Sequence, residues 1–265
     1  MAQLIDLKTF SNPAVLRTNM ATAEPMLRAM PLLANLNSTM FERLLEKATS
    51  VDLIAGEAMD GLGAGRFCLL AGGRLRIQQT TNDGLRHIAR FLVPGDVFDL
   101  SRPCPTGMAT QAIASTDCRI LVWDADVWAS LLEQDVVLAN NAMRAMARVL
   151  DDAQDRMREI ATQDVEQRLA NAMLRLVERS SEPAGSGRMI DFPITRKDFA
   201  DLVGATHTTV SRIVSAWQVQ GVLRRRGVRL IVADLVRLRD LADGLDKDSP
   251  DRFVNRRARQ RLAHA

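Results

Sequence analysis

The sequence predicts an α+β protein: a β barrel or sandwich, then one long helix, then a helix-turn-helix with a wing. Three observations predict it. Nine of the fifteen glycines fall between Gly56 and Gly107 and separate short apolar runs, the texture of a small all-β unit. An unbroken heptad runs through Val136, Ala139, Met143, Met146, Leu150, Ala153, Met157 and Ile160, the seam of a two-stranded coiled coil. Between Thr195 and Gly221 two helical patterns meet at a glycine.

Residues 1–25 show weak periodicity and are expected to form a loosely held arm. From Glu24 to Thr49 two short amphipathic helices are expected, using Leu32, Leu33, Leu36, Met40, Leu44 and Leu45. The strands expected next are Phe67–Leu70, Leu75–Ile77, Ile88–Val93, Gln111–Ile113 and Arg119–Trp123. Asn82-Asp83-Gly84 and Pro94-Gly95-Asp96 supply turns. The long helix follows over Val136–Ile160. A further amphipathic helix spans Val165–Glu178, with Leu169, Met173, Leu176 and Val177 inward, and Ser180–Arg188 reads as a loop.

In the next stretch Thr195 and Asp198 have capping-box spacing, and Gly204 ends the helix they start. Thr206 can cap a second helix. On it Val210, Ile213, Val214 and Trp217 form an apolar stripe, while His207, Thr208, Ser211 and Arg212 fall on the other side within two turns. That pattern suits a recognition helix presenting side chains to a major groove. Thr195, Arg196, Lys197, Thr206 and Thr209 flank it as candidate DNA contacts. Val222–Arg225 and Val228–Val232 read as a hairpin around Arg226-Gly227, a wing whose Arg224, Arg225, Arg226 and Arg229 can reach phosphates. Asp234 can cap a last helix through Leu241. The remainder, 243–265, is expected to be a flexible basic tail.

The stretch resembles the C-terminal domain of the Crp/Fnr family of bacterial transcription regulators, in Ile194–Ala200, Val203-Gly204 and Thr209–Ile213. Ala71–Ile77, Asp83-Gly84 and Phe91–Phe98 resemble that family's cyclic-nucleotide-binding β-roll. The resemblance implies a sensor domain over 26–134, a dimerisation helix over 135–161 and a winged helix-turn-helix over 162–242. It implies a homodimer, with Met143, Met146, Leu150, Ala153, Met157 and Ile160 at its interface. Double-stranded DNA and RNA polymerase would be its partners, and the arginine matching Arg212 would contact a guanine edge. His207-Thr208 stands where the family often has Arg-Glu, so the operator should differ from the usual one.

Charge agrees with this division. Residues 195–265 hold 15 Lys+Arg against 8 Asp+Glu, and residues 1–194 hold 20 against 24. A basic C-terminal part suits a polyanion. No apolar run approaches the roughly 18 residues of a membrane span, and no secretory signal is evident. Cys68, Cys104 and Cys118 have no metal spacing, which suits a reducing cytoplasm. No nucleophile elbow, Walker or metal-ligand spacing marks an enzyme.

The effector is less determined. Family members that bind cyclic AMP carry Gly-Glu for the ribose and an Arg for the phosphate; Gly95–Leu100 lacks the first, and Met108-Ala109-Thr110 lacks the second. An unneutralised phosphate in such a pocket costs several kcal/mol, so cyclic AMP is not expected. Phe98, Asp99, Met108 and Thr110 are candidate pocket residues for another ligand. A haem could use His87 or a cysteine, Cys104 could be a redox thiol, or the protein could need no ligand. An effector module tied to another activity is the rival reading; it would need an intact phosphate cassette and no recognition face.

Overall fold

The computed structural model describes residues 24–59, 66–81, 83–99 and 109–245. Contacts divide the chain into two compact units, Met1–Asp152 and Ala153–Ala265. The expected arm and most of the tail lie outside the described residues.

In the first unit α1, which takes in residues 24–28, precedes α2 (Ser38–Glu46). Leu32, Leu33 and Leu36 are buried but sit on the turns between these helices, not on a helix. Pro31 disfavours helix at the residue before it, and Asn35 takes a positive φ of 61°. Seven strands follow: β1 (Thr49–Leu53), β2 (Arg66–Gly72), β3 (Leu75–Thr80), β4 (Arg86–Leu92), β5 (Val97–Asp99), β6 (Ala109–Ala114) and β7 (Cys118–Asp124). They form two antiparallel sheets, ordered β1-β7-β2-β5 and β4-β3-β6. β1 and β5 are additions to the expected set.

Strand period explains why β2 and β7 read as unbroken apolar runs. Cys68, Leu70, Ile120 and Val122 turn inward, onto the core they share with Leu75, Leu92 and Phe98. The alternate residues Phe67, Leu69, Leu121 and Trp123 turn the other way, under the helices. Both faces are therefore buried. Trp123 donates its indole N–H to the carbonyl of Leu44 at 2.9 Å. Trp128, on α3 (Ala125–Gln134), stacks on Phe67 with ring centroids 3.8 Å apart.

The long helix α4 (Val136–Thr162) has the expected extent. Leu138 and Ala142 join the first unit's helical core. Asn141 is buried, and its amide donates to the carbonyls of Leu32 and Ala34 at 3.1 and 2.8 Å.

The second unit is built on α5 (Val165–Arg179), started by an Asp164–Gln167 capping box. Leu169, Met173, Leu176 and Val177 are all buried, as the pattern requires. The expected loop after it is instead a hairpin, β8 (Ser181–Ala184) and β9 (Gly187–Ile190). Its first strand reads Ser-Glu-Pro-Ala and carries no strand signal of its own; pairing with β9 makes it one. Then come α6 (Arg196–Val203), α7 (His207–Val219), β10 (Leu223–Arg226), β11 (Arg229–Val232) and α8 (Leu235–Ala242). The four strands form one antiparallel sheet, β10-β11-β9-β8. Gly187 is required there, because a Cβ would lie 2.2 Å from the carbonyl oxygen of Val232.

Candidate nucleic-acid interface

α6 starts where the capping box puts it. Thr195 accepts from the Asp198 amide at 3.0 Å, and Asp198 accepts from the Thr195 amide at 2.8 Å. The helix ends at Gly204, whose φ of 65° and ψ of 48° are left-handed; alanine there is strained by about 1 kcal/mol. Two residues later Thr206 accepts from the Thr209 amide at 3.2 Å and starts α7.

The two faces of α7 separate cleanly. Val210, Ile213, Val214 and Trp217 are buried, with Val210, Ile213 and Trp217 at 0% exposure. His207, Thr208 and Arg212 are exposed, and Ser211 and Thr209 are half-buried. His207 Nε2 and Ser211 Oγ lie 3.4 Å apart. His207, Thr208, Ser211 and Arg212 occupy the N-terminal half of α7, where the helix dipole favours an approaching anion.

Side chains outside the sequence pattern hold α7 in place. Trp217 donates its indole N–H to Glu166 of α5 at 3.0 Å, and Glu166 is itself buried. Arg196 donates to Gln218 at 3.1 Å, so this candidate DNA contact also ties the start of α6 to the end of α7. A fully buried tryptophan calls for an acceptor near its N–H; nothing in the sequence says that Glu166 supplies it. Thr195, Lys197 and Thr206 are exposed.

In the wing, Arg226 pairs with Arg229 and Arg225 with Leu230. The turn is therefore Gly227-Val228, one residue later than expected. Arg224, Arg225 and Arg226 are all exposed, but strand alternation puts Arg224 and Arg226 on one face and Arg225 on the other. Arg229 donates to Glu182 of β8 at 3.0 Å, so part of its charge is already answered within the unit.

The seam residues on α4 are uncovered within the chain. Met143, Met146, Leu150, Met157 and Ile160 are 63, 40, 59, 67 and 61% exposed, and Ala153 is exposed as well.

Of the candidate pocket residues, the side chains of Phe98 and Thr110 are described. Phe98 is buried in the core between the two sheets. Thr110 is half-buried on β6, opposite Gln79. Asp99 ends β5, but its side chain lies outside the described residues, as do Met108 and Cys104. His87 is half-buried on β4. Cys68 and Cys118 are buried, and burial pushes the Cys118 thiol up to about 11. Among the described residues no group of His, Cys, Asp and Glu could hold a metal ion, and no helix is long and apolar enough to cross a membrane.

Comparison with known proteins accounts for both units. Residues 60–135 match the cyclic nucleotide-binding domain, and residues 167–241 match the Crp-like helix-turn-helix domain. The nitrogen fixation regulation protein FixK of Rhizobium meliloti is 30% identical over 159 residues, covering 60% of this chain and 69% of that protein. The CRP-like cAMP-activated global transcriptional regulator of Mycobacterium tuberculosis is 24% identical over 198 residues, covering 74% and 88%. Among solved structures, FixK2 from Bradyrhizobium japonicum superposes with a TM-score of 0.63 at 26% identity, covering 73% of this chain and 96% of that one. The chain belongs to the Crp/Fnr family of transcription regulators, in which a helix-turn-helix domain binds DNA and the homodimer is the typical form.

Proposed function

We propose that this protein regulates transcription by binding a palindromic promoter site as a homodimer paired through the α4 seam, with one α7 in each major groove. One observation carries the reading. Exposed His207, Thr208 and Arg212, with half-buried Ser211, form a polar face on the first two turns of α7, opposite a stripe that is buried. Two such helices related by a two-fold axis would read half-sites about one helical turn apart. Arg212 has the planar fork that a guanine O6/N7 pair requires, worth about 1–3 kcal/mol of discrimination. His207 and Thr208 would give neighbouring base pairs a different preference from the Arg-Glu version of this face. RNA polymerase at the same promoter belongs to this reading through the family. So does a reducing cytoplasm, which keeps thiols such as Cys68 and Cys118 reduced.

Binding-site selection tests this reading. Lysine keeps the charge of Arg212 but not its two parallel donors, so Arg212→Lys should relax base choice more than it weakens non-specific binding. Each wing arginine that meets a phosphate contributes about one unit to the salt slope. Arg225→Ala and Arg226→Ala lie on opposite faces, and the variant whose slope flattens identifies the face that meets DNA. If Arg212→Lys selects the same half-site with undiminished preference, Arg212 only anchors a phosphate and this account of recognition is wrong.

We also infer that cyclic AMP is not the effector. Neither Ala109 nor Thr110, at the start of β6, can neutralise a phosphate. Calorimetry at millimolar cyclic AMP should show no saturable heat; stoichiometric binding would overturn the inference.

A further inference from the structure

One face of α5 carries Arg168, Asn171 and Arg175, spaced three and four residues apart. Helical geometry places them in a row, and all three engage the end of α4. Arg175 pairs with Glu159 through both guanidinium nitrogens, the Nη2–Oε2 contact being 3.0 Å. The Asn171 amide donates to the side-chain oxygen of Gln163 at 3.0 Å. Arg168 donates to the carbonyl of Gln163 at 2.9 Å and, through Nε, to the carbonyl of Val203 at 3.2 Å. Val203 is the last residue of α6. A single guanidinium thus joins the carbonyl just past α4 to the carbonyl that ends the first helix of the helix-turn-helix.

Helix stability does not account for Glu159. It lies within the last turn of α4, where the dipole's negative end disfavours a carboxylate. It is also mostly buried, its side chain 10% exposed, against 34% for Arg175. A shielded ion pair adds little net stability but constrains direction strongly, since a two-pronged contact tolerates one relative orientation. Glu159 and Gln163 lie roughly 110° around α4 from Met157 and Ile160. The clamp therefore leaves the seam open to a partner helix.

We propose that Glu159, Gln163, Arg168, Asn171 and Arg175 are positioning residues that fix the angle between the last turns of α4 and the α5–α6 pair. They thereby set the half-site spacing the dimer accepts. This rests on the reading that α4 pairs two copies. A one-base-pair change in spacing rotates one half-site by roughly 35° about the DNA axis and moves it about 3.4 Å, a mismatch that a stiff joint resists and a loose one absorbs.

The test uses full-length protein and synthetic palindromes whose half-site spacing varies one base pair at a time. Replacing both members of a shielded ion pair with apolar residues of similar size is often neutral or stabilising. Glu159→Met with Arg175→Met should therefore stay folded and dimeric while losing the directional contact. Its affinity for an isolated half-site should match wild type. Its discrimination between the best spacing and a spacing one base pair away should fall about tenfold, within the range by which a released coupling element acts. Exchanging the charges, Glu159→Arg with Arg175→Glu, should restore most of that discrimination. A double Met variant that discriminates spacing as sharply as wild type overturns the proposal. A wild type that is monomeric, or indifferent to spacing, overturns the dimer reading first and this proposal with it.

Discussion

Leu150→Asp is the sharpest test of the α4 seam. Fully burying a leucine contributes about 1.5–3 kcal/mol. Leu150 is 59% exposed in the single chain, so covering the rest contributes about 1–2 kcal/mol per copy, or about 2–4 per dimer. The substitution forfeits that. It also sets two carboxylates near each other, because residues at this heptad position face their own counterparts in a parallel pair. The total is at least about 3 kcal/mol per dimer, more than about 100-fold in dissociation constant. Met157→Asp, one heptad on and 67% exposed, should behave alike. Arg148→Asp, exposed on α4 but off the seam, should leave the dimer intact. The assay is light scattering on size-separated protein across the micromolar range. If both seam variants stay dimeric, the interface lies elsewhere, and the account of the palindrome must be rebuilt.

Two further predictions concern buried groups. Glu166→Ala removes a charged acceptor from the buried Trp217 N–H and should cost the second unit about 2–3 kcal/mol, whereas Glu166→Gln keeps an acceptor oxygen and should cost less than about 1. Hydrogen exchange of the α7 amides reads the difference, and equal losses would mean that the hydrogen bond is not what holds the helix. Cys118, with its thiol pushed up to about 11 by burial, should stay protonated at pH 8 and resist alkylation until the protein is unfolded. Peptide mass mapping with and without denaturant checks this, and rapid labelling of native protein would refute it.

The parts of the fold that were legible in the sequence are those whose signal is local. The Thr195–Asp198 box, Gly204 and the Thr206 cap each act within a few residues, and each is where the pattern put it. The buried stripes of α5 and α7 follow from 3.6-residue periodicity in the same way. What escaped is tertiary. β1 lies at the edge of its sheet and is only partly buried, so its residues alternate weakly. β8 contains no large apolar residue and exists because β9 pairs with it. In the site, the face of α7 could be read from the sequence, whereas the groups that hold it could not. Glu166 lies 51 residues from Trp217 and Glu159 lies 16 from Arg175, and an acidic residue on a helix carries no mark of a distant partner. The wing arginines show the converse: three in a row suggest one patch, and strand alternation splits them between two faces.

The four-stranded sheet of the second unit has two open edges, and both are defended. At one end β8 offers Glu182 and Pro183, and proline has no amide with which to recruit another strand. At the other end β10 offers Arg224, Arg225 and Arg226, all exposed. Any second copy approaching that edge in antiparallel register would bring three like charges against three more. The arginines thus select against self-templating as well as for a polyanion. A wing neutralised to alanine would not merely lose its grip on phosphate: it would leave a bare strand edge beside Val228, and should turn a dispersed regulator into one that accumulates as β-rich aggregate at high expression.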